Sequence, residues 1–233
     1  EFDTPIKPTN HICFGPYSKI APVAFTSSEV INNLGETISK AGHTQLRMAE
    51  TEKFPHVTFF FNSQFKQPYQ GEKRIVVDSP KVASYAEKPE MSAQELTDAF
   101  VKEISQKNDY KLIVLNYANA DLVGHSGELE ATKESINVIN KCLEETVKTA
   151  QQHGYEILIT ADHGNAEYMI YEENGDPCPS HTLNNVIFIT VSEELKSKTL
   201  RTQDTGLQDV ARTILDMLNI EKPKEMKGTT LIQ

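Results

Sequence analysis

"KLIVLNYAN" (Lys111–Asn119) and "YEILITADHG" (Tyr155–Gly164) are two apolar runs that end in polar residues. Between them lies "ELEATKESINVINKCLEETVKTAQQH" (Glu128–His153), whose Ile136, Ile139, Leu143 and Val147 recur at helical spacing along one stripe. Continuous rather than alternating apolar strands are those of a sheet buried on both faces. A strand, a long amphipathic helix and a second such strand predict an α/β protein. Its mostly parallel sheet would carry helices on both faces, a three-layer α/β/α arrangement.

Working outward, "NVIFITV" (Asn185–Val191) reads as a third strand, and "LQDVARTILDMLNI" as a helix turning Val210, Ile214, Leu215 and Leu218 inward. Upstream, "SAQELTDAFVKEIS" predicts a helix with Ser92 as N-cap and Glu95 completing a capping box. "RIVVDSP" (Arg74–Pro80) is a weaker strand, and the β-branched and aromatic "PHVTFFFN" (Pro55–Asn62) predicts a buried one. A helix is expected from an N-cap at Ser28, through Val30, Ile31, Leu34 and Ile38, to Gly42. Residues 1–27 are punctuated by Pro and Gly and read as a connector with at most one short strand around Val23–Phe25. Residues 28–233 then form the main domain.

The totals narrow the function. Of 233 residues, 38% are hydrophobic, enough for a sizeable core. A formal net charge of -10 argues against a nucleic-acid or anionic-membrane surface, because both draw on basic patches. Anionic small substrates remain compatible, since bound divalent cations reverse the field locally. Cys13, Cys142 and Cys178 form no Cys-x-x-Cys pair and no disulfide framework, so a reducing cytoplasm is expected. No run is long and apolar enough for a membrane span. The sequence opens on Glu1, which suggests processing or a piece of something longer.

In an open α/β sheet, ligands bind beyond the carboxyl ends of the strands. There the sequence offers Asp121 and His125 after the first run, Asp162 and His163 after the second, and His181 just before the third. A mixed carboxylate–imidazole set suits Mn²⁺, Zn²⁺ or Fe²⁺. Two such ions about 3.5–4 Å apart could clamp a phosphoryl group. Gly124 is expected to permit a tight bend between Asp121 and His125. Singly, each residue has an ordinary explanation as a cap, turn or loop residue; jointly, five donors on three segments point to metal. His43 and His153 adjoin helix-terminal glycines, and a helix-end role suffices for them. His11 falls in the connector. His56 opens the expected strand, where a core or hydrogen-bonding role is favoured over ligation.

"ITADHGNAE", "LNYANADLVGHSG", "ETEKFPHVTFFFN", "SPKVASYAEKPEMSA" and "GLQDVARTILDMLNIEKPKEMKGTTLI" resemble cofactor-independent phosphoglycerate mutase, from about Ile20 to the C-terminus. The resemblance implies an alkaline-phosphatase-like fold. It also implies interconversion of 3- and 2-phosphoglycerate through a phosphoserine, with two metal ions, most often Mn²⁺, with Mg²⁺, Zn²⁺ or Co²⁺ as alternatives. It implies Asp121, His125 and His181 as ligands of one metal, Asp162 and His163 of the second, and Lys53 beside the transferring phosphoryl group. Neither the family's nucleophilic serine segment nor its arginine-rich transferase domain has a match, so residues 1–27 would be the tail of that domain. The chain by itself would then be inactive and would need the missing segments as partners. Where the family has Gly-Gly, this sequence has Ser63-Gln64. Alternatives are a phosphopentomutase or phosphatase of the same superfamily, or a non-catalytic metal-binding remnant.

Overall fold

The structure, a computed structural model, describes residues 11–26, 29–106 and 109–233. The chain divides into two compact units, Glu1–Ile31 and Asn32–Gln233. In the first, a parallel bridge joins Cys13 to Val23 among the described residues, and Phe14 stacks on Phe25 at 6.2 Å. The short strand expected there amounts to that one bridge.

The second unit is built on a parallel three-stranded sheet in the order β2 (Glu72–Val77), β1 (Thr44–Glu50), β3 (Tyr110–Asn116). Alternation along the strands decides its layering. Leu46, Met48, Ile113 and Leu115 face one side, where they meet Leu96, Phe100 and Ile104 of α2 (Ala93–Gln106) and Ala150 of α4 (Leu129–Gln152). Leu112 and Val114 face the other, against Leu34 and Ile38 of α1 (Leu34–Lys40) and Leu215 of α5 (Gln208–Met217). Each fully buried Leu, Ile or Met contributes roughly 1.5–3 kcal/mol, so the three layers hold one another in place. This is the expected α/β/α arrangement.

Several local expectations are corrected. "PHVTFFFN" is not a strand: His56–Phe60 form a short π-helical turn that buries Val57 and Thr58 and leaves Phe60 exposed. A short apolar run has no period long enough to separate helix from strand, and Pro55 is pre-set for a helix start. The strand of this region is β1, "TQLRMAE", which the sequence hides because Gln45, Arg47 and Glu50 are fully buried. Gln45 Nε2 donates to the Gly35 carbonyl at 2.8 Å, and Arg47 lies 4.2 Å over the Phe61 ring. Burial lowers the Arg47 pKa to about 10, against the raising effect of Glu72.

The first helix begins at Leu34 with Asn33, not Ser28, as its N-cap, and Val30 and Ile31 are exposed. Ser28 itself lies outside the described residues. Ser92 precedes α2, but no capping box forms. Its N–H donates to Glu50 at 3.1 Å and its hydroxyl to the Asp78 carbonyl at 2.8 Å, so β1 and the loop after β2 cap the helix in place of Glu95. On α4 the buried stripe is Thr132, Ser135, Cys142 and Ala150, and Ile136 is exposed. On α5 only Leu215 of the four expected apolar residues is fully buried, beside Asp209 and Thr213.

β4 (Ile157–Thr160) and β5 (Phe188–Val191) pair antiparallel in a separate two-stranded ladder, with Thr160 opposite Phe188. The end of β4 and the start of β5 therefore lie side by side, which matters for the site. Among the described residues no helix is long and apolar enough to cross a membrane.

Candidate metal centre

Three segments supply the site. Asp121 lies in the short helix α3 (Asn119–Gly124) that follows β3, and His125 is its C-cap. Four residues apart on a helix, the two side chains share a face, and His125 Nε2 stands 3.1 Å from Asp121 Oδ1. His163 follows β4 and His181 precedes β5. An antiparallel bridge between Gly164 and Thr182 extends the ladder past the strand ends, with Thr182 N–H donating to the Gly164 carbonyl at 3.0 Å. That bridge brings the neighbouring imidazoles of His163 and His181 into a stack at 3.7 Å.

The donors converge on one oxygen. Asp121 Oδ1 is 3.1 Å from His125 Nε2, 3.0 Å from His181 Nε2 and 3.9 Å from His163 Nε2. The two nitrogens of His125 and His181 are themselves 3.0 Å apart. The ligating atoms of Asp121, His163 and His181 all fall within 4.8 Å of one another. Asp162 stands at the margin: its carboxylate is exposed and 3.5 Å from His163 Nε2. Lys53, in the turn after β1, is buried and forms an ion pair with Asp121 Oδ2. Burial raises the Asp121 pKa, but the Lys53 cation, His125 and His163 outweigh it and hold the carboxyl below its ordinary value.

The proton inventory of His125 is compatible with cation binding. Its Nδ1 lies 2.7 Å from the Pro179 carbonyl, which can only accept. In the neutral ring Nδ1 thus carries the hydrogen, and the Nε2 lone pair faces the Asp121 carboxylate. An imidazole fixed by its far nitrogen, with lone pairs converging on a carboxylate, is the arrangement of a metal ligand.

Two features, Asn165 and Glu167, went unread in the sequence, and the expected bend at Gly124 is corrected. Asn165, buried, donates from Nδ2 to Asp121 Oδ1 at 3.2 Å. Gly124 is helical, so it makes no bend; a side chain there would strike Asn165 Oδ1. Glu167 accepts from the Thr182 hydroxyl, from Asn184 Nδ2 at 3.0 Å and from Asn165 N–H at 2.6 Å. Desolvation works against the Glu167 carboxylate, but those donors hold its pKa below the usual value. His56, expected in a buried strand, is exposed on the π-helical turn and tilted against Phe60. His153 is the C-cap of α4, with Nδ1 2.9 Å from the Thr149 carbonyl, as its helix-end reading anticipates.

The model of the metalloenzyme superfamily matches residues 16–222. The chain belongs to the metalloenzyme superfamily. Within it, the sequence is 46% identical over its whole length to a 2,3-bisphosphoglycerate-independent phosphoglycerate mutase from Clostridioides difficile, spanning 43% of that protein. It is 48% identical over 97% of its length to the enzyme of the same description from Acetivibrio thermocellus, spanning 44% of it. Among solved structures, a Leishmania mexicana phosphoglycerate mutase, determined at low cobalt concentration, superposes with a TM-score of 0.83. That likeness has 26% identity and covers 91% of this chain and 41% of the other. The chain therefore spans less than half the length of these superfamily relatives.

Proposed function

We propose that this chain is the metal-binding part of a phosphoglycerate mutase that interconverts 3-phosphoglycerate and 2-phosphoglycerate. The observation that carries the reading is the convergence of three imidazole nitrogens on Asp121 Oδ1. Identities of 45–48% to phosphoglycerate mutases support the substrate class. The donor set fits divalent transition ions, and the low cobalt concentration at which the Leishmania mexicana structure was determined agrees with that chemistry. Two ions are proposed, most often Mn²⁺: Asp121, His125 and His181 would hold one, Asp162 and His163 the other. Such ions polarise phosphoryl oxygens and lower the pKa of a nucleophile.

The chain's own residues have separate duties. Asp121 anchors the cluster and fixes the Lys53 ammonium beside it, so a cation stands where a phosphoryl group would accumulate charge. Pro179 locks the His125 tautomer. No serine of this chain is assigned as nucleophile. That residue, and the groups that grip the glycerate, would lie in the length of the relatives that this chain does not span. The three cysteines are free, which supports a reducing cytoplasm.

Calorimetric titration with Mn²⁺ tests the reading. Wild-type chain should bind; His181→Ala should weaken the first site, and His163→Ala should leave that site largely intact. Equal losses from the two changes would overturn the partition, and no binding by wild type would overturn the metal assignment. The 233-residue chain with Mn²⁺ and 3-phosphoglycerate should show no turnover at an ordinary enzymatic rate. Such turnover would sink the placement of the nucleophile elsewhere.

A further inference from the structure

Asp121, His163 and His181 reach the same point from three segments, and none of the three is attached to another by a strand pair longer than one bridge at that level. Something must set their register to the tenths of an ångström that ligation requires. We infer that Glu167 and Asn165 are positioning residues that hold the three ligand-bearing segments in register, an inference that rests on the reading of this cluster as a divalent-cation site.

The connections are specific. One carboxylate oxygen of Glu167 takes the Thr182 hydroxyl, next to His181, together with Asn184 Nδ2 at 3.0 Å. The other takes the Asn165 N–H at 2.6 Å, two residues from His163. Glu167 thus ties the segment after β4 to the segment before β5. Gly164 leaves room for this: a Cβ there would collide with both Glu167 Oε1 and Thr182 Oγ1. Asn165 makes the third link. Its side chain is buried, and Nδ2 reaches Asp121 at Oδ1, 3.2 Å, and at the carbonyl, 3.5 Å. Gly124 admits it, because any side chain at that helical position would occupy the same space. Two residues and two glycines therefore join α3, the end of β4 and the start of β5. Neither Glu167 nor Asn165 touches a reacting group.

Glu167 is exposed, so its removal should cost little folding stability while loosening the ligands. That separates positioning from a merely structural role. In the full 233-residue chain, Glu167→Ala should weaken Mn²⁺ binding by about 10–100-fold, the range for groups that orient metal ligands. The metal-free thermal midpoint should fall less than in Asp209→Asn, a variant whose partners Arg201, Gly206 and Thr229 all lie outside the cluster. Asp209→Asn should lower the midpoint and leave Mn²⁺ affinity within about twofold. Affinity within twofold of wild type in Glu167→Ala, or an equal loss of affinity in Asp209→Asn, would overturn the inference. Imidazole ¹⁵N and ¹³C resonances of His163 and His181 in the metal-free chain give a second readout. Glu167→Ala should shift or broaden both and Asp209→Asn neither; unchanged resonances would overturn it. Failure of wild type to bind Mn²⁺ removes the metal reading alone, and the resonances still decide whether Glu167 sets the register.

Discussion

Ser63 and Gln64 both sit in the left-handed region, at φ 54° and 68°, directly after the π-helical turn. Their N–H groups donate to the Phe60 and Phe59 carbonyls at 3.0 and 2.7 Å, which terminates the turn and compels that conformation. For a residue with a Cβ it costs about 1–2 kcal/mol. This is where the resemblance sets Gly-Gly, and the structure shows the physical reason. Ser63→Gly and Gln64→Gly should each stabilise by roughly 0.5–1 kcal/mol, the strain relieved less the added freedom of the unfolded chain. Denaturant midpoints check this, and a loss of stability would show that the side chains matter more than the strain. Asp209 is the complementary case. Buried in the first turn of α5, it accepts from Thr229 N–H at 2.8 Å, Gly206 N–H at 3.1 Å and Arg201 Nη2 at 2.8 Å. Desolvation opposes its charge, but these donors prevail and its pKa is lowered. Its stabilisation is therefore complete above the unfolded aspartate value of about 3.9 and is lost as pH falls through the lower folded value. Asp209→Asn should cost about 1–3 kcal/mol at pH 7 and flatten the loss of midpoint in that acidic window. An unchanged acid profile would contradict it.

The start of α2 shows how an element can be capped from outside itself. "SAQE" has the letters of a capping box, yet Glu50 at the end of β1 takes the Ser92 N–H and the Ser79 hydroxyl, the latter at 3.1 Å. Burial raises the Glu50 pKa, with the Ser92 and Ser79 hydrogen bonds lowering it in part. For an acid raised on folding, the penalty is absent below the unfolded value and grows as pH rises through the folded one. Glu50→Gln keeps an acceptor for Ser92 and removes the charge, so stability at pH 7 should be unchanged or higher. Glu50→Ala strands a buried N–H and should cost about 1–3 kcal/mol. Thermal melts distinguish the two, and equal destabilisation would refute the charge argument. The helix was legible because its apolar period is local; its cap was not, because the capping carboxylate comes from another strand. The same reasoning covers β1, hidden by polar residues that find partners only in the folded state, and "PHVTFFFN", too short to display a period.

Across the molecule, the two sheet systems deliver their donors to one point, so cation binding should stabilise all of them together. Excess Mn²⁺ at about 100 times its Kd should add about 2.7 kcal/mol and raise the thermal midpoint. Chelation should reverse the rise and Asp121→Asn should abolish it; a midpoint indifferent to Mn²⁺ would contradict the coupling. The three-layer class, most helices and the residue types that meet around Asp121 were readable from the chain, because apolar period and side-chain chemistry are properties of the residues themselves. The sequence by itself determined which carboxylates and imidazoles were candidates for holding a cation and that they would gather near strand ends. Only the tertiary structure decided that β4 and β5 run antiparallel, so that His163 stacks on His181. It alone decided that Pro179 sets the His125 tautomer, and that Asn165 and Glu167 stand behind the ligands. These are contacts between residues far apart in the chain, chosen by packing and by the hydrogen bonding of buried polar groups, and no local pattern encodes them.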